Sequence, residues 1–201
     1  MVYIDADMGI GSGLILGGEL YRSCNFQAGE FGHITLDLNG PRCNCGRLGC
    51  LEAMAAGLAV VKEITGQLPG FPDHPLYVKR GELTINDILE YANNGDMLCV
   101  TVLNKSAYYL GTAINSLIHL LDPNRIVLGG VLTKGYRAYF DIVRNTVSPH
   151  SFQGNEGQTI TRARLGEDAG VIGGGELVAE KFFTEIVSKV FSKEEEEPGR
   201  L

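Results

Sequence analysis

The chain has 201 residues, 20% of them charged, and a formal net charge of −7, a balance that argues against a nucleic-acid surface spread over it. Apolar residues make up 44%, ordinary for a globular protein long enough to bury a core without disulfides. No apolar run approaches the roughly 20 residues that cross a bilayer, no signal-peptide pattern opens the chain, and five cysteines leave one thiol over in any full pairing, so a reducing, cytoplasmic setting is expected.

Val2–Ala6 is β-prone directly after Met1, and the chain is therefore expected to begin partway through a fold. A glycine-rich turn, Asp7-Met8-Gly9-Ile10-Gly11-Ser12-Gly13, leads into a second strand at Leu14-Ile15-Leu16. Gly17-Gly18 then suits a tight hairpin into a third strand over residues 19–22. Residues 34–38 alternate as a short strand. Residues 52–64 read as a helix ending at Gly66, and residues 67–81, with Pro69, Pro72 and Pro75, as an exposed loop. Thr84, with Asp87 three positions on, caps a helix that runs to Asn94-Gly95. Asp96 caps a long helix over 97–121, stopped by Asp122-Pro123-Asn124. Leu98, Leu103, Leu110, Ile114, Leu117 and Leu121 give it a buried face. A buried strand over 125–128 precedes Gly129-Gly130. A helix over 136–146, a strand over 158–163 and a helix over 169–191, interrupted at Gly173-Gly174-Gly175, complete the domain. Residues 192–201 read as a disordered polar tail. The order, a β-meander followed by alternating helices and strands, is that of an α/β fold.

Cys43-x-Cys45-Gly-x-x-Gly-Cys50 puts three soft ligands on one short loop. Gly46 and Gly49 free the backbone to turn back so that three sulfurs can face one point. Crowded thiolates repel unless a cation neutralises them, and zinc prefers four tetrahedral sulfur or nitrogen ligands. His33 is the nearest candidate for the fourth position, and His74, between Pro72 and Pro75, is its competitor. Buried free thiols and a redox switch are the other readings, and a Cys43–Cys45 disulfide is strained at that spacing; structural zinc is preferred. Three cysteines and one histidine close the coordination sphere, which disfavours catalysis by zinc-bound water. Cys99 belongs to the core of the long helix, and Cys24 has no obvious partner.

Pinning His33 and Cys50 to one metal brings Glu30 and Glu52 near each other. Two rigidly held, acceptor-only carboxylates suit the hydroxyl groups of a sugar. Glu52 reads equally as a first-turn glutamate favoured by the helix dipole, and Glu30 as a surface residue.

Glu30-x-x-His33 followed by Cys43-x-Cys45-Gly46-x-x-Gly49-Cys50-x-Glu52 resembles the signature of the ROK family (repressors, open reading frames and sugar kinases). Residues 2–22 are similar to the family's second phosphate segment and residues 125–130 to its Gly-Gly loop near the adenosine position. Leu165-Gly166-Glu167-Asp168-Ala169-Gly170 is similar to the entry of its C-terminal helix. The resemblance implies an actin-like, ribonuclease H-like ATPase-type fold of two lobes with sugar in the cleft between them. This chain matches the C-terminal lobe over residues 1–191, with the zinc loop at 33–50. The implied zinc ligands are His33, Cys43, Cys45 and Cys50. The implied sugar contacts are Glu30, His33 and Glu52, His33 serving both through its two ring nitrogens. A homodimer or higher homo-oligomer formed through this lobe is implied as well. The first phosphate loop and the catalytic aspartate of the family's kinases belong to the other lobe, so no catalytic residue is assigned.

Where the family's kinases carry Gly-Thr-Gly-Ile-Gly-Gly-Gly, Asp7 and Met8 stand here in place of the first glycine and the threonine. A thioether donates no hydrogen bond, and a carboxylate beside a triphosphate is repelled. Gly9, Gly11 and Gly13 are then a phosphate-loop remnant that serves a hairpin, and ATP is not expected as a cofactor. Asn39-Gly40-Pro41-Arg42-Cys43 and Gly18-Glu19-Leu20-Tyr21-Arg22 are most similar to the family's xylose-responsive repressors. The expected function is a sugar-sensing lobe of a transcriptional regulator, with structural zinc, a small-molecule sugar effector, DNA contact only through a separate N-terminal domain, and no membrane. The alternatives are the C-terminal lobe of a glucokinase-like sugar kinase and a zinc-stabilised dimerisation module.

Overall fold

In the computed structural model, which describes residues 1–25, 27–147 and 159–195, the chain divides into two units, Met1–Ala163 and Arg164–Leu201. The first is built on β1 (Val2–Ala6), whose Val2, Ile4 and Ala6 are fully buried while Tyr3 and Asp5 are half-buried on the other face, the alternation a strand needs. β1 pairs antiparallel with β2 (Ile10–Leu16) and parallel with β4 (Arg125–Gly129), so that Val2 lies opposite both Leu14 and Ile126. The two-residue β3 (Glu19–Leu20) and β5 (Thr159–Arg162) complete a five-stranded sheet ordered β3-β2-β1-β4-β5. The meander thus occupies one side of β1 and the parallel strands the other.

The long helix α4 (Met97–Leu121) organises the helical layer. Packed on it are α1 (Leu51–Ala55), α2 (Gly57–Gln67), α3 (Ile85–Asn93) and α6 (Tyr139–Val147). Asp96 caps it by accepting the Cys99 N–H at 2.9 Å, and Asp122 ends it in the left-handed conformation, φ 41°. Leu103, Leu110, Ile114 and Leu117 are buried as expected, Leu98 only in part. Leu121 is a correction: with Leu120 it is exposed, because the last turn runs past the core. At Gly111 a Cβ atom would lie 2.6 Å from the Thr146 side chain, so α4 and α6 touch through a glycine.

Several other expectations are corrected. The helix over 52–64 is two helices, broken at Ala56, where ψ is 161°. The break has a cause 50 residues upstream: the carbonyls of Asp7 and Met8 take the N–H groups of Gly57 (2.8 Å) and Leu58 (3.1 Å), which start α2 afresh. Residues 34–38 form no strand, only a bridge between Thr35 and Cys50, because the Leu36 and Asp37 amides both turn to the Gly49 carbonyl. Residues 67–81 hold two 3-10 turns whose Leu68 and Leu76 are fully buried. Residues 136–146 are entered by a separate short helix, α5 (Val131–Gly135), and a bend at Tyr136. The predicted third strand stops at Leu20.

The second unit holds α7 (Ala169–Glu195), which runs without a break through Gly173, Gly174 and Gly175; the helix-forming residues after them offset the roughly 1 kcal/mol that each glycine costs. Residues 192–195 continue this helix, in place of the expected tail, and residues 196–201 lie outside the described residues. Among the described residues no helix is long and apolar enough to cross a membrane.

Candidate functional site

Two short segments build the site against the start of β2. The first is the 3-10 turn Phe31–His33. A Cβ at Gly32 would lie 2.2 Å from the Ile10 carbonyl, so the turn rests directly on the strand. The Ser12 amide and hydroxyl both donate to the Gly29 carbonyl, at 3.1 and 2.9 Å. This fixes the backbone from which Glu30 and His33 project.

The second segment is the cysteine loop. The Cys43 N–H donates to the Arg47 carbonyl and the Gly49 N–H to the Pro41 carbonyl, each at 2.8 Å, closing the loop on itself. Gly49 sits at φ 63°, and a Cβ there would fall 1.5 Å from the Asp37 carbonyl oxygen, a position only glycine can fill. Cys50 then ends the loop and serves as the N-terminal flank of α1, in extended conformation.

A ring nitrogen of His33 and the sulfurs of Cys43, Cys45 and Cys50 all lie within 4.8 Å of one another. Cys43 Sγ is 3.7 Å from His33 Nδ1, and Cys45 Sγ is 3.5 Å from Cys50 Sγ. A tetrahedral zinc ion with Zn–S of about 2.3 Å and Zn–N of about 2.0 Å separates its ligands by roughly 3.5–3.8 Å. The donor set fits zinc and two of its separations match that geometry, so the cluster can hold a metal ion with no ligand to be recruited from elsewhere. Arg47, through its backbone N–H and then its side chain, pulls the Cys45 thiol down to about 6, whereas burial pushes the Cys50 thiol up to about 12. A bound cation takes both as thiolates.

His74, the competing ligand, is committed elsewhere. Its Nδ1 accepts the Leu76 N–H at 3.1 Å, which leaves Nε2 to donate to Asp96 Oδ2 at 2.7 Å. Cys99 is fully buried and Cys24 is exposed; neither belongs to the cluster.

The second nitrogen of His33, Nε2, faces Glu30 Oε2 at 3.7 Å. One imidazole thus links the metal cluster to a carboxylate that is 62% exposed, an acceptor open to a hydroxyl-bearing ligand. Glu30 borders a hollow of about 300 Å³ lined by Leu14, Phe31, Ile34, Leu117 and Leu120. Glu52 stands in the first turn of α1, where its Oε2 accepts the Ile10 N–H at 3.2 Å and lies 2.9 Å from where a Cβ at Gly9 would be. It borders a smaller hollow of about 100 Å³ with Met8, Arg42, Asn44, Leu58 and Lys62.

The glycine-rich turn is arranged differently from a bare phosphate cradle. Asp7 Oδ1 accepts the Met8 N–H at 2.7 Å, and Asp7 Oδ2 accepts the Val131 N–H at 3.0 Å, at the start of α5. Gly130 before it has φ 87° and packs on the Ala6 backbone. Asp7 therefore ties the turn after β1 to the loop after β4, and Glu52 takes the Ile10 amide. Neither role of Asp7 and Arg47 was foreseen. The Asp7–Val131 contact joins residues 124 apart in sequence, for which no local pattern exists; a basic residue inside a thiolate loop was the available signal for Arg47.

The ROK family model matches residues 1–181. A glucokinase from Halalkalibacterium halodurans is 34% identical over 186 residues, 90% of this chain and 56% of that protein. A xylose repressor from Bacillus subtilis is 28% identical over 188 residues, 92% of this chain and 46% of that protein. The crystal structure of a ROK family glucokinase from Streptomyces griseus, in complex with glucose and AMPPNP, superposes with a TM-score of 0.76 at 28% identity, covering 88% of this chain and 59% of that one. The chain thus spans about half the length of the curated relatives it matches.

Proposed function

The chain belongs to the ROK family, and from that premise we propose that it is the sugar-sensing, effector-binding lobe of a transcriptional regulator. The observation that carries this reading is the engagement of the glycine-rich turn by the chain's own carboxylates. The amides of Met8, Ile10 and Val131 already donate to Asp7 and Glu52. These are among the backbone donors with which such a turn would cradle a triphosphate, and Met8 adds no donor of its own. Zinc at His33, Cys43, Cys45 and Cys50 is structural: its four protein ligands leave no open position, so it supplies rigidity rather than an activated water. Glu30, His33 and Glu52 are the sugar contacts, with Glu30 and Glu52 accepting hydrogen bonds from sugar hydroxyl groups. The chain carries no catalytic residue, acts in the cytoplasm and self-associates, and DNA contact is assigned to a separate N-terminal domain of the whole protein.

The second reading, a lobe of a sugar kinase, is favoured by the 34% identity to a glucokinase. The readings differ in nucleotide binding but share the sugar site, which is tested first. Titration of the isotope-labelled, zinc-loaded chain with xylose, glucose and N-acetylglucosamine is expected to shift the amides around Glu30, His33 and Glu52 for one of them. Glu52→Gln removes a charged acceptor, worth about 1.5–3 kcal/mol, and is expected to weaken that sugar about tenfold or more with zinc content unchanged. Equal affinity in the variant, or no shift with any sugar, contradicts the site.

A further inference from the structure

We propose that Cys45 and Cys50 are an oxidation site: a hydroperoxide joins them in a disulfide and so expels the metal from the loop. The inference rests on the metal-centre reading and goes beyond it. All four donors lie within 4.8 Å of one another, and the Cys45 and Cys50 sulfurs, 3.5 Å apart, are closer than Cys43 Sγ and His33 Nδ1 at 3.7 Å. A disulfide requires the sulfurs to close to about 2.05 Å, a movement of roughly 1.5 Å. Gly46, at φ 92° with open space around it, lies between the two cysteines and gives the loop room for it. Cys45 is exposed and Cys50 buried, so an oxidant meets Cys45 first and Cys50 is the resolving thiol behind it.

The chemistry balances without a further reactant. The Cys45 thiolate attacks one peroxide oxygen, the O–O bond breaks, hydroxide leaves, and Cys45 becomes a sulfenic acid. The Cys50 thiolate then attacks the Cys45 sulfur; the S–S bond forms, the S–O bond breaks and a second hydroxide leaves. The two sulfurs together lose the two electrons that reduce the peroxide, and the metal loses two of its four ligands. The consequence reaches both candidate sugar carboxylates. Cys50 flanks α1, which carries Glu52, and His33, freed of metal on Nδ1, faces Glu30 through Nε2.

The test uses the zinc-loaded chain carrying Cys24→Ser, which removes the other exposed thiol. It is treated with hydrogen peroxide; released zinc is read with a chromogenic chelator, and alkylated tryptic peptides are mapped by mass spectrometry. Cleavage after Arg42, Arg47 and Lys62 places Cys43 and Cys45 on peptide 43–47 and Cys50 on peptide 48–62. The expected result is stoichiometric zinc release in step with linkage of the two peptides through Cys45, Cys43 remaining alkylated, and reversal by dithiothreitol and added zinc. Linkage through Cys43, zinc release with no linkage, or zinc retained under peroxide overturns the proposal. Failure of the chain to take up zinc is a different result: it removes the metal reading and the expulsion step with it. Oxidation of that metal-free chain still decides the pair, since a Cys45–Cys50 linkage upholds it and any other product rejects it.

Discussion

Individual side chains in this protein hold distant backbone in place, and the buried Ser106 shows what one of them is worth. Its hydroxyl donates to the Ala55 carbonyl at 2.6 Å, at the break between α1 and α2, and lies 2.8 Å from the Tyr139 hydroxyl on α6. Both side chains are shut away from water. Ser106→Ala orphans the Tyr139 hydroxyl and the Ala55 carbonyl together, so a loss of about 1–3 kcal/mol is expected in urea unfolding; unchanged stability contradicts the assigned network. Asp7 does similar work between the turn after β1 and α5. In the sequence, Asp7 reads as a charge set against phosphate; in the fold its carboxylate faces inward onto two amides. The residue type was informative, and its orientation was not, because the Val131 amide becomes its neighbour only once β1 and β4 pair.

At the scale of elements, caps were legible and breaks were not. Thr84 and Asp87 form a reciprocal capping box on α3, the Asp87 amide donating to Thr84 Oγ1 at 3.2 Å and the Thr84 amide to Asp87 Oδ2 at 3.0 Å. Thr84→Ala is expected to cost about 1 kcal/mol, read as a lower urea midpoint. The Lys79 ammonium first, and Thr84 after it, hold the Asp87 carboxyl down at about 2. An unfolded aspartate titrates near about 3.9. A depressed folded value means that this contribution is fully present above about pH 4 and is lost as pH falls toward 2. Asp87→Asn should therefore flatten the decline in stability over that acid window, and an unaltered profile contradicts the assignment. The same local chemistry made α4 readable from Asp96 to Asp122. The interruption at Ala56 had no such signal, since its cause is a pair of carbonyls, on residues 7 and 8, that accept the Gly57 and Leu58 amides. The segment 34–38 alternates like a strand yet pairs with no strand, because the loop it supports competes for its amides.

At the scale of the whole molecule, the opening β-meander and the cysteine cluster were the most legible features. Each follows from closely spaced residues: alternation in β1, and three cysteines with two glycines that let the loop return. The fourth corner of the cluster, His33, could be chosen over His74 only by distance in sequence; the fold adds the reason, since both nitrogens of His74 are already bonded. Relatives include both a glucokinase and a xylose repressor, and the two proposed readings differ in what residues 7–13 bind. The central claim is that this turn is closed to a nucleotide triphosphate by Asp7 and Glu52. The most direct measurement is titration of the zinc-loaded chain with magnesium and AMPPNP, followed by amide chemical shifts at Gly9, Gly11, Gly13 and Gly130. A closed turn predicts no saturable shift at millimolar nucleotide while the sugar response persists. Saturable shifts at these glycines would contradict it and place the chain with the family's kinases.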